Sequence, residues 1–376
     1  VILRIGNNPQ ILVPAGTGRR RCPIIPPQAG YCRIPDSDTG QNRVHQGGPH
    51  RGKGGLLRVL LKGISPSAKR DQPLRMTEQP RNSLPIGTEL DCYRITRLIG
   101  SGGFSLIYLA EDVDDHDEVA IKEYLPKRFG IRDEKLAVSF SEEAKYESFQ
   151  RGRRLFYQEA GLLATLRHPN IVNVRNCFLA NNTAYLVMNY EPGKNLGRYI
   201  KKRQGGLSTK FLMTVFPPLL DALALIHSKQ HLHLDIKPSN VHLRPGGNPL
   251  LLDFGAAFHL DDIGQKKAQV VTPGFSPIEQ YYASGKVGPC TDIYAIGATM
   301  RACIEGKPPP SAVERHANDT LLPALEAFGK RYPREILESI DWAMQIDAHD
   351  RPATAGDLRD ALLGRIPIPG HIKVHS

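Results

Sequence analysis

From Asp91 onward the chain alternates apolar and polar positions with the period of a strand. YRITRLIG (93–100) and FSLIYLAEDV (104–113) flank a glycine turn, and EVAIKEYL (118–125) follows, so three successive strands predict an antiparallel meander. A charged stretch from about 141 to 166 then carries apolar residues at helical spacing. IVNVRNCFLANNTAYLVMNY (171–190) supplies two more strands joined at NNT. After EPG the period becomes helical, predicting helices over 211–228, 291–304, 318–328, 334–346 and 354–363. The fold class is therefore α+β: a five-stranded antiparallel lobe over 86–190, then a larger, mainly helical lobe over 191–365 and a tail over 366–376. A cleft between two lobes is a frequent ligand site.

Residues 1–85 show no sustained period and contain 11 Gly and 11 Pro. They read as a largely disordered or loosely docked head. The head also accounts for the charge. Of the net +11, residues 1–81 hold 14 Arg and Lys against 4 Asp and Glu, or +10. What folds afterwards is nearly neutral, which excludes a basic nucleic-acid-binding domain there. An acidic partner would be met by the head, through contacts that salt weakens. Tyr31 is the only aromatic residue before Tyr93, too few for stacking on single strands.

Six cysteines, at 22, 32, 92, 177, 290 and 303, have neither metal-ligand spacing nor the density of a disulfide scaffold. The most apolar run, FLMTVFPPLLDALALI (211–226), contains Pro217, Pro218 and Asp221 and reads as a buried helix rather than a membrane span. The chain begins at Val1 rather than Met. The expected location is cytoplasmic, either on its own or as the cytoplasmic part of a longer, membrane-anchored protein.

Four segments carry chemistry. IGSGGFSLIY (99–108) is a glycine-rich strand–turn–strand whose backbone N–H groups can approach phosphates, although many plain hairpins are as rich in glycine. Lys122 sits in an apolar strand, where its ammonium either faces solvent or needs an anion. Glu159, on the apolar edge of the predicted helix, offers one. In HLDIKPSN (233–240), Asp235 can accept a hydroxyl proton, Lys237 can offset charge on a phosphoryl group, and Asn240 offers a neutral oxygen suited to magnesium. Thirteen residues later, LLLDFGAA (250–257) places Asp253 at the end of an apolar strand as a second metal ligand. Each residue alone has an ordinary surface or structural reading. In this order they describe a phosphotransfer site.

These motifs resemble the eukaryotic-like Ser/Thr protein kinase family, and VAIKEYLP resembles its bacterial, proteobacterial-type members. The resemblance runs from about Asp91 to Gly364. It implies the bilobal protein-kinase fold with a helix C, and ATP with Mg2+ as cofactors, Mn2+ being an alternative. Gly100 and Gly102 match glycines of the nucleotide loop and Phe104 its tip, so that ATP would lie beneath residues 100–107, Ser105 and Ile107 included. Lys122 matches the lysine of the α- and β-phosphates and Glu159 its helix-C partner. Met188 matches the gatekeeper, and Asn189 to Glu191 the hinge that holds adenine. Asp235 matches the catalytic base, Lys237 the phosphate-neutralising lysine, and Asn240 and Asp253 the metal ligands. Thr272 in TPGFSPIEQY matches the threonine bridging to the catalytic residues. Glu279 matches the glutamate closing that segment, Arg351 its buried partner, and Asp292 the aspartate bracing the catalytic loop.

The sequence departs from the family pattern three times. Ser105 stands at the third loop glycine. Leu234 replaces the arginine before Asp235, and 255–270 contains no Ser, Thr or Tyr, so activity should not depend on phosphorylation of the activation segment. Between Lys122 and Glu159 lie 36 residues, an insert over 123–150 that frames or extends helix C. Lys237 followed by Pro238 favours protein substrates over small hydroxyl metabolites, and Asn195, where a carboxylate would select basic residues, removes any expected arginine preference. Autophosphorylation through self-association is expected. A pseudokinase scaffold is the rival, but it would lack one of Lys122, Asp235, Asn240 or Asp253.

Overall fold

The computed structural model describes residues 82–127, 131–140, 143–253, 258–259, 271–282 and 284–369. The head up to residue 81 and most of the 254–270 segment lie outside them, as do Cys22 and Cys32.

The first lobe contains β1 (Glu89–Leu90), β2 (Tyr93–Ser101), β3 (Ser105–Asp112), β4 (Glu118–Tyr124), a hairpin of β5 (Ile131–Arg132) and β6 (Val138–Ser139), helix α1 (Glu143–Thr165), β7 (Val174–Ala180) and β8 (Thr183–Asn189). The main sheet runs β1-β2-β3-β4-β8-β7, antiparallel throughout. It has six strands where the sequence predicted five. The extra one, β1, is two residues long, too short to display a period.

The stretch 123–150 is only partly outside the regular elements of the lobe. Residues 123 and 124 complete β4, and α1 begins at Glu143, so this stretch also contributes the first turns of the helix. Between them, the β5–β6 hairpin roofs the sheet face turned away from α1. Glu123, fully buried, accepts hydrogen bonds there from Tyr108 Oη and Tyr185 Oη, both at 2.8 Å, and from Arg132 Nη2 at 2.6 Å. Arg132 further donates to the carbonyls of Asn82 (3.0 Å) and Leu136 (2.6 Å). Around this polar knot Leu84, Ile121, Val138 and Val187 are buried in one apolar core. Leu84 belongs to this core although the sequence placed it in the head.

The second lobe opens with β9 (Lys194–Asn195), α2 (Leu196–Arg203) and α3 (Thr209–Ser228). Next come β10 (His231–Leu232), β11 (Val241–Leu243), β12 (Pro249–Leu251) and β13 (Phe258–His259). Helices α4 (Pro289–Glu305), α5 (Ala312–Ala317), α6 (Ala324–Phe328), α7 (Arg334–Ala343) and α8 (Ala355–Leu362) complete it. Ser208 caps α3 by accepting the Phe211 N–H, and the helix continues through both prolines. Helix α3 is long and apolar enough to cross a membrane, but Leu212, Phe216, Leu220 and Leu223 are buried within the lobe, against α4, α8 and β12. Of the helix predicted at 318–328 only its second half forms, as α6, and α5 ends just before the predicted start. Asp319 is bound by Arg315 at 2.8 Å, and Pro323 caps α6, so the chain between them is not helical.

Arg132→Met leaves Glu123 as a buried charge without its cation, at a cost of about 3–5 kcal/mol. Denaturant unfolding should show that loss, with part of it recovered in Arg132→Met/Glu123→Gln. An unchanged midpoint in the single variant would contradict the assigned role of the pair.

Candidate active site

Strand pairing brings the upper part of the site together. The turn between β2 and β3 is closed by the Gly102 N–H donating to Ser105 O at 2.8 Å, and Gly100 pairs with Ile107 across the hairpin. Phe104 projects from the tip, 68% exposed. Two hydrogen bonds tie the turn to the continuation of β4, from Leu125 N–H to Phe104 O (2.9 Å) and from Lys127 N–H to Gly103 O (3.0 Å). Ser105, half-buried, opens β3.

Lys122 lies on β4 between Ile107 and Leu186 of the neighbouring strands and is 7% exposed. Its Nζ donates to Asp253 Oδ1 at 2.6 Å and stands 3.7 Å from Glu159 Oε1, an ion pair too long for a hydrogen bond. Burial opposes the charge on Lys122, but the carboxylates of Glu159 and Asp253 outweigh it and hold the ammonium's pKa above its ordinary value. Asp253 has φ of 59°, in the left-handed region, so the backbone turns sharply as it presents this carboxylate. At the other end of the cleft, Asn189 ends β8 with its Oδ1 accepting from Arg175 Nε at 2.5 Å, and Met188 beside it is half-buried. Glu191 is 3.9 Å from Arg244.

The loop between β10 and β11 carries the second cluster. Asp235 Oδ1 accepts from Lys237 Nζ and from Thr272 Oγ1, both at 2.8 Å, and Lys237 Nζ also reaches Thr272 Oγ1 at 3.0 Å. Asn240 Nδ2 donates to Asp235 O (2.8 Å) and to Asp235 Oδ2 (3.0 Å). These bonds fix the Asn240 amide with its nitrogen toward Asp235. Its oxygen is left with a 3.3 Å contact from the Ser239 hydroxyl. The Asp253 side chain is 45% exposed. One neutral and one anionic oxygen donor, both hard, fit a magnesium ion in chemistry.

Asp292, in the first turn of α4, holds this loop from beneath. Fully buried, it accepts from the backbone N–H groups of Leu234 (2.7 Å) and His233 (2.9 Å) and pairs with His227 Nε2 at 2.9 Å. Burial alone would raise the pKa of the Asp292 carboxyl, but the hydrogen bond from His227, the electrostatic influence of the His227 and His233 rings, and the backbone donor bring it below its ordinary value. His233 Nδ1 accepts from the Asp235 N–H at 3.3 Å, so its proton sits on Nε2, which faces Leu252 O at 3.2 Å. Arg351, buried, makes bonds of 2.7 and 3.2 Å to Glu279 and ties the 271–282 segment to the helical lobe.

Three features were not legible in the sequence. Gln280 Nε2 donates to Leu234 O at 2.9 Å, linking the segment after Thr272 to the loop that bears Asp235. His242 lies on β11 two residues after Asn240, and its buried Nε2 has no hydrogen-bond partner among the described residues. Its ring is packed against Gly193, where a Cβ would come within 2.3 Å of the Leu243 carbonyl oxygen and 2.4 Å of that nitrogen, so only glycine fits. None of the three belongs to a residue pattern visible along the chain.

Comparison with known proteins agrees with this geometry. The family model described as "protein kinase domain" matches residues 93–360. The solved structure described as the apo form of PpkA-294 is 34% identical with a TM-score of 0.68, covering 75% of this chain and 99% of that one. Serine/threonine-protein kinase PrkC of Bacillus subtilis is 30% identical over 273 residues, 71% of this chain and 39% of its own. Serine/threonine-protein kinase PknA of Nostoc sp. is 28% identical over 291 residues, 74% of this chain and 48% of its own. The chain thus spans less than half the length of these two curated relatives. With an antiparallel sheet over a helical lobe and the family's motifs gathered in the cleft, the chain belongs to the protein kinase domain family.

Proposed function

We propose that this chain is a Ser/Thr protein kinase of the bacterial type, transferring the γ-phosphate of ATP to protein hydroxyl groups. The observation that carries the reading is the closed set of hydrogen bonds joining Asp235, Lys237, Thr272 and Asn240. It leaves one carboxylate oriented to take a hydroxyl proton with a fixed ammonium beside it. In this reading the backbone of residues 100–107 covers the nucleotide, Lys122 binds its α- and β-phosphates, and the 189–191 backbone holds adenine. Asp235 orients and deprotonates the Ser or Thr hydroxyl, and Lys237 offsets charge on the phosphoryl group in transit. Mg2+, for which Mn2+ could stand in, would be held by Asn240 and Asp253 and would neutralise charge across the phosphates.

A protein substrate is favoured by the Lys237–Pro238 pair and by Thr272, which joins the segment expected to receive a peptide to the catalytic loop. No arginine preference follows, since Asn195 spends its side chain on the Ser239 carbonyl and on capping α2. Autophosphorylation between transiently associated copies belongs to this reading, as do a cytoplasmic location and contact of the basic head with acidic surfaces. Independence from activation-segment phosphorylation rests on Leu234. It is buried in a small apolar cluster with Leu232 and Val287, so the position offers no cation to grip a phosphate.

Labelled γ-phosphate transfer, to the protein itself and to a generic basic protein with magnesium, tests the main reading. Wild type should transfer, and Asp235→Asn should lose about a hundredfold or more. Nucleotide binding without transfer would leave the scaffold reading, and preference for free hydroxyl metabolites the small-molecule one. Phosphatase-treated protein should transfer at the same initial rate as untreated protein. A fall in rate after treatment would contradict independence from phosphorylation.

A further inference from the structure

Helix α1 contains a glycine in its interior, Gly152, although glycine is the least favourable helix residue after proline. The reason lies across the interface with the sheet. A Cβ at position 152 would stand 1.9 Å from Tyr124 Oη and 2.8 Å from Cζ of the same ring. Tyr124 therefore seats its ring tip in a notch that only glycine leaves open. Phe149 and Phe156, one turn to either side, wall the notch, with ring centroids 5.1 and 5.7 Å from that of Tyr124.

The position of this notch matters for the cleft. Tyr124 follows Lys122 by two residues on β4, so both side chains leave the same face of the sheet toward α1. Gly152 precedes Glu159 by seven residues, so both lie on the same face of the helix, two turns apart. The wall residue Phe156 also touches the lysine, whose Nζ is 5.3 Å from its ring centre. The strand end is fixed in turn, because the Thr183 hydroxyl donates to the Tyr124 carbonyl and the Leu125 N–H holds the glycine turn through Phe104 O.

We infer that Tyr124 and Gly152 are positioning residues for phosphoryl transfer, a ring-in-notch contact that sets the register of α1 on β4 so that Glu159 faces Lys122. The inference rests on the kinase reading above. A slide or rotation of α1 that broke the Lys122–Glu159 pair would first have to lift the Tyr124 ring out of its notch. Neither residue touches the reacting groups.

The test uses the helix's second interior glycine as its control. An added Cβ at Gly161 meets nothing within 4 Å. Gly161→Ala should keep full transfer activity and raise the melting temperature. Gly152→Ala adds the same helix propensity but should lose about tenfold to a hundredfold in kcat/KM for ATP, the scale of a displaced catalytic group. Tyr124→Phe alone should stay active, and Gly152→Ala/Tyr124→Phe should recover part of the loss, because the closest clashing atom is gone while Cζ would still stand 2.8 Å from the new Cβ. Amide hydrogen exchange over residues 149–163 reads the same contact without turnover, faster in Gly152→Ala and slowed again in the double variant. Full activity and unchanged exchange in Gly152→Ala would overturn the inference, as would a loss that Tyr124→Phe does not relieve. If wild type and Gly161→Ala both fail to transfer phosphate, the kinase reading fails, and hydrogen exchange still decides the notch.

Discussion

The Lys122 ammonium, nearly buried and set between Glu159 and Asp253, is the interaction on which the cleft depends. Burial works against its charge, and the position is tolerable only because two elements, α1 and the chain after β12, each deliver a carboxylate. The distances are unequal, 2.6 Å to Asp253 and 3.7 Å to Glu159, so the ammonium lies closer to the proposed metal ligand than to the helix. Strand β4 carries the consequences in both directions. Lys122 and Tyr124 leave one face toward α1, while Glu123 leaves the other and is pinned by Arg132 beneath the β5–β6 hairpin. The strand is thereby fixed on both faces at the two residues that follow Lys122.

The helical lobe meets the same problem with the signs reversed. Asp292 is a fully buried anion, stabilised by two backbone donors and His227, and these bonds hold the loop bearing Asp235. Leu234, with φ of 58°, occupies a strained backbone position in that loop, and Asp292 and Gln280 bind its N–H and C=O groups. Strain at this site is compensated by buried hydrogen bonds rather than by a permissive residue. Glu279 and Arg351 extend the arrangement to the 271–282 segment, so Thr272 reaches Asp235 from a fixed base.

The sequence exposed much of this because polar residues stood in apolar surroundings. Lys122 in a strand, Asp253 at the end of another, and Asp235, Lys237 and Asn240 in one loop all demanded partners, and the structure brings them into two hydrogen-bonded clusters. Features without a local signature stayed hidden. Strand β1 and the β5–β6 hairpin are too short for a period, and the hairpin's role in roofing the sheet depends on its Arg132 meeting Glu123 of β4. The apolar run near 318–328 looked like one helix because periodicity cannot register that Asp319 is taken up by Arg315. Gly152 and Gly193 read along the chain as a helix weakness and a loop residue. Only the Tyr124 ring against the first, and the Leu243 carbonyl and His242 ring against the second, show why a Cβ is excluded.

If the buried Lys122 between two carboxylates is the anchor of a nucleotide site, ATP affinity must depend on both the lysine and the metal. Calorimetric titration of ATP into the full chain, with and without Mg2+, measures this directly for wild type and Lys122→Met. The account predicts tight binding by wild type only with Mg2+, and its loss in Lys122→Met with the fold intact. Equal affinity of the two proteins, or binding indifferent to Mg2+, would contradict it.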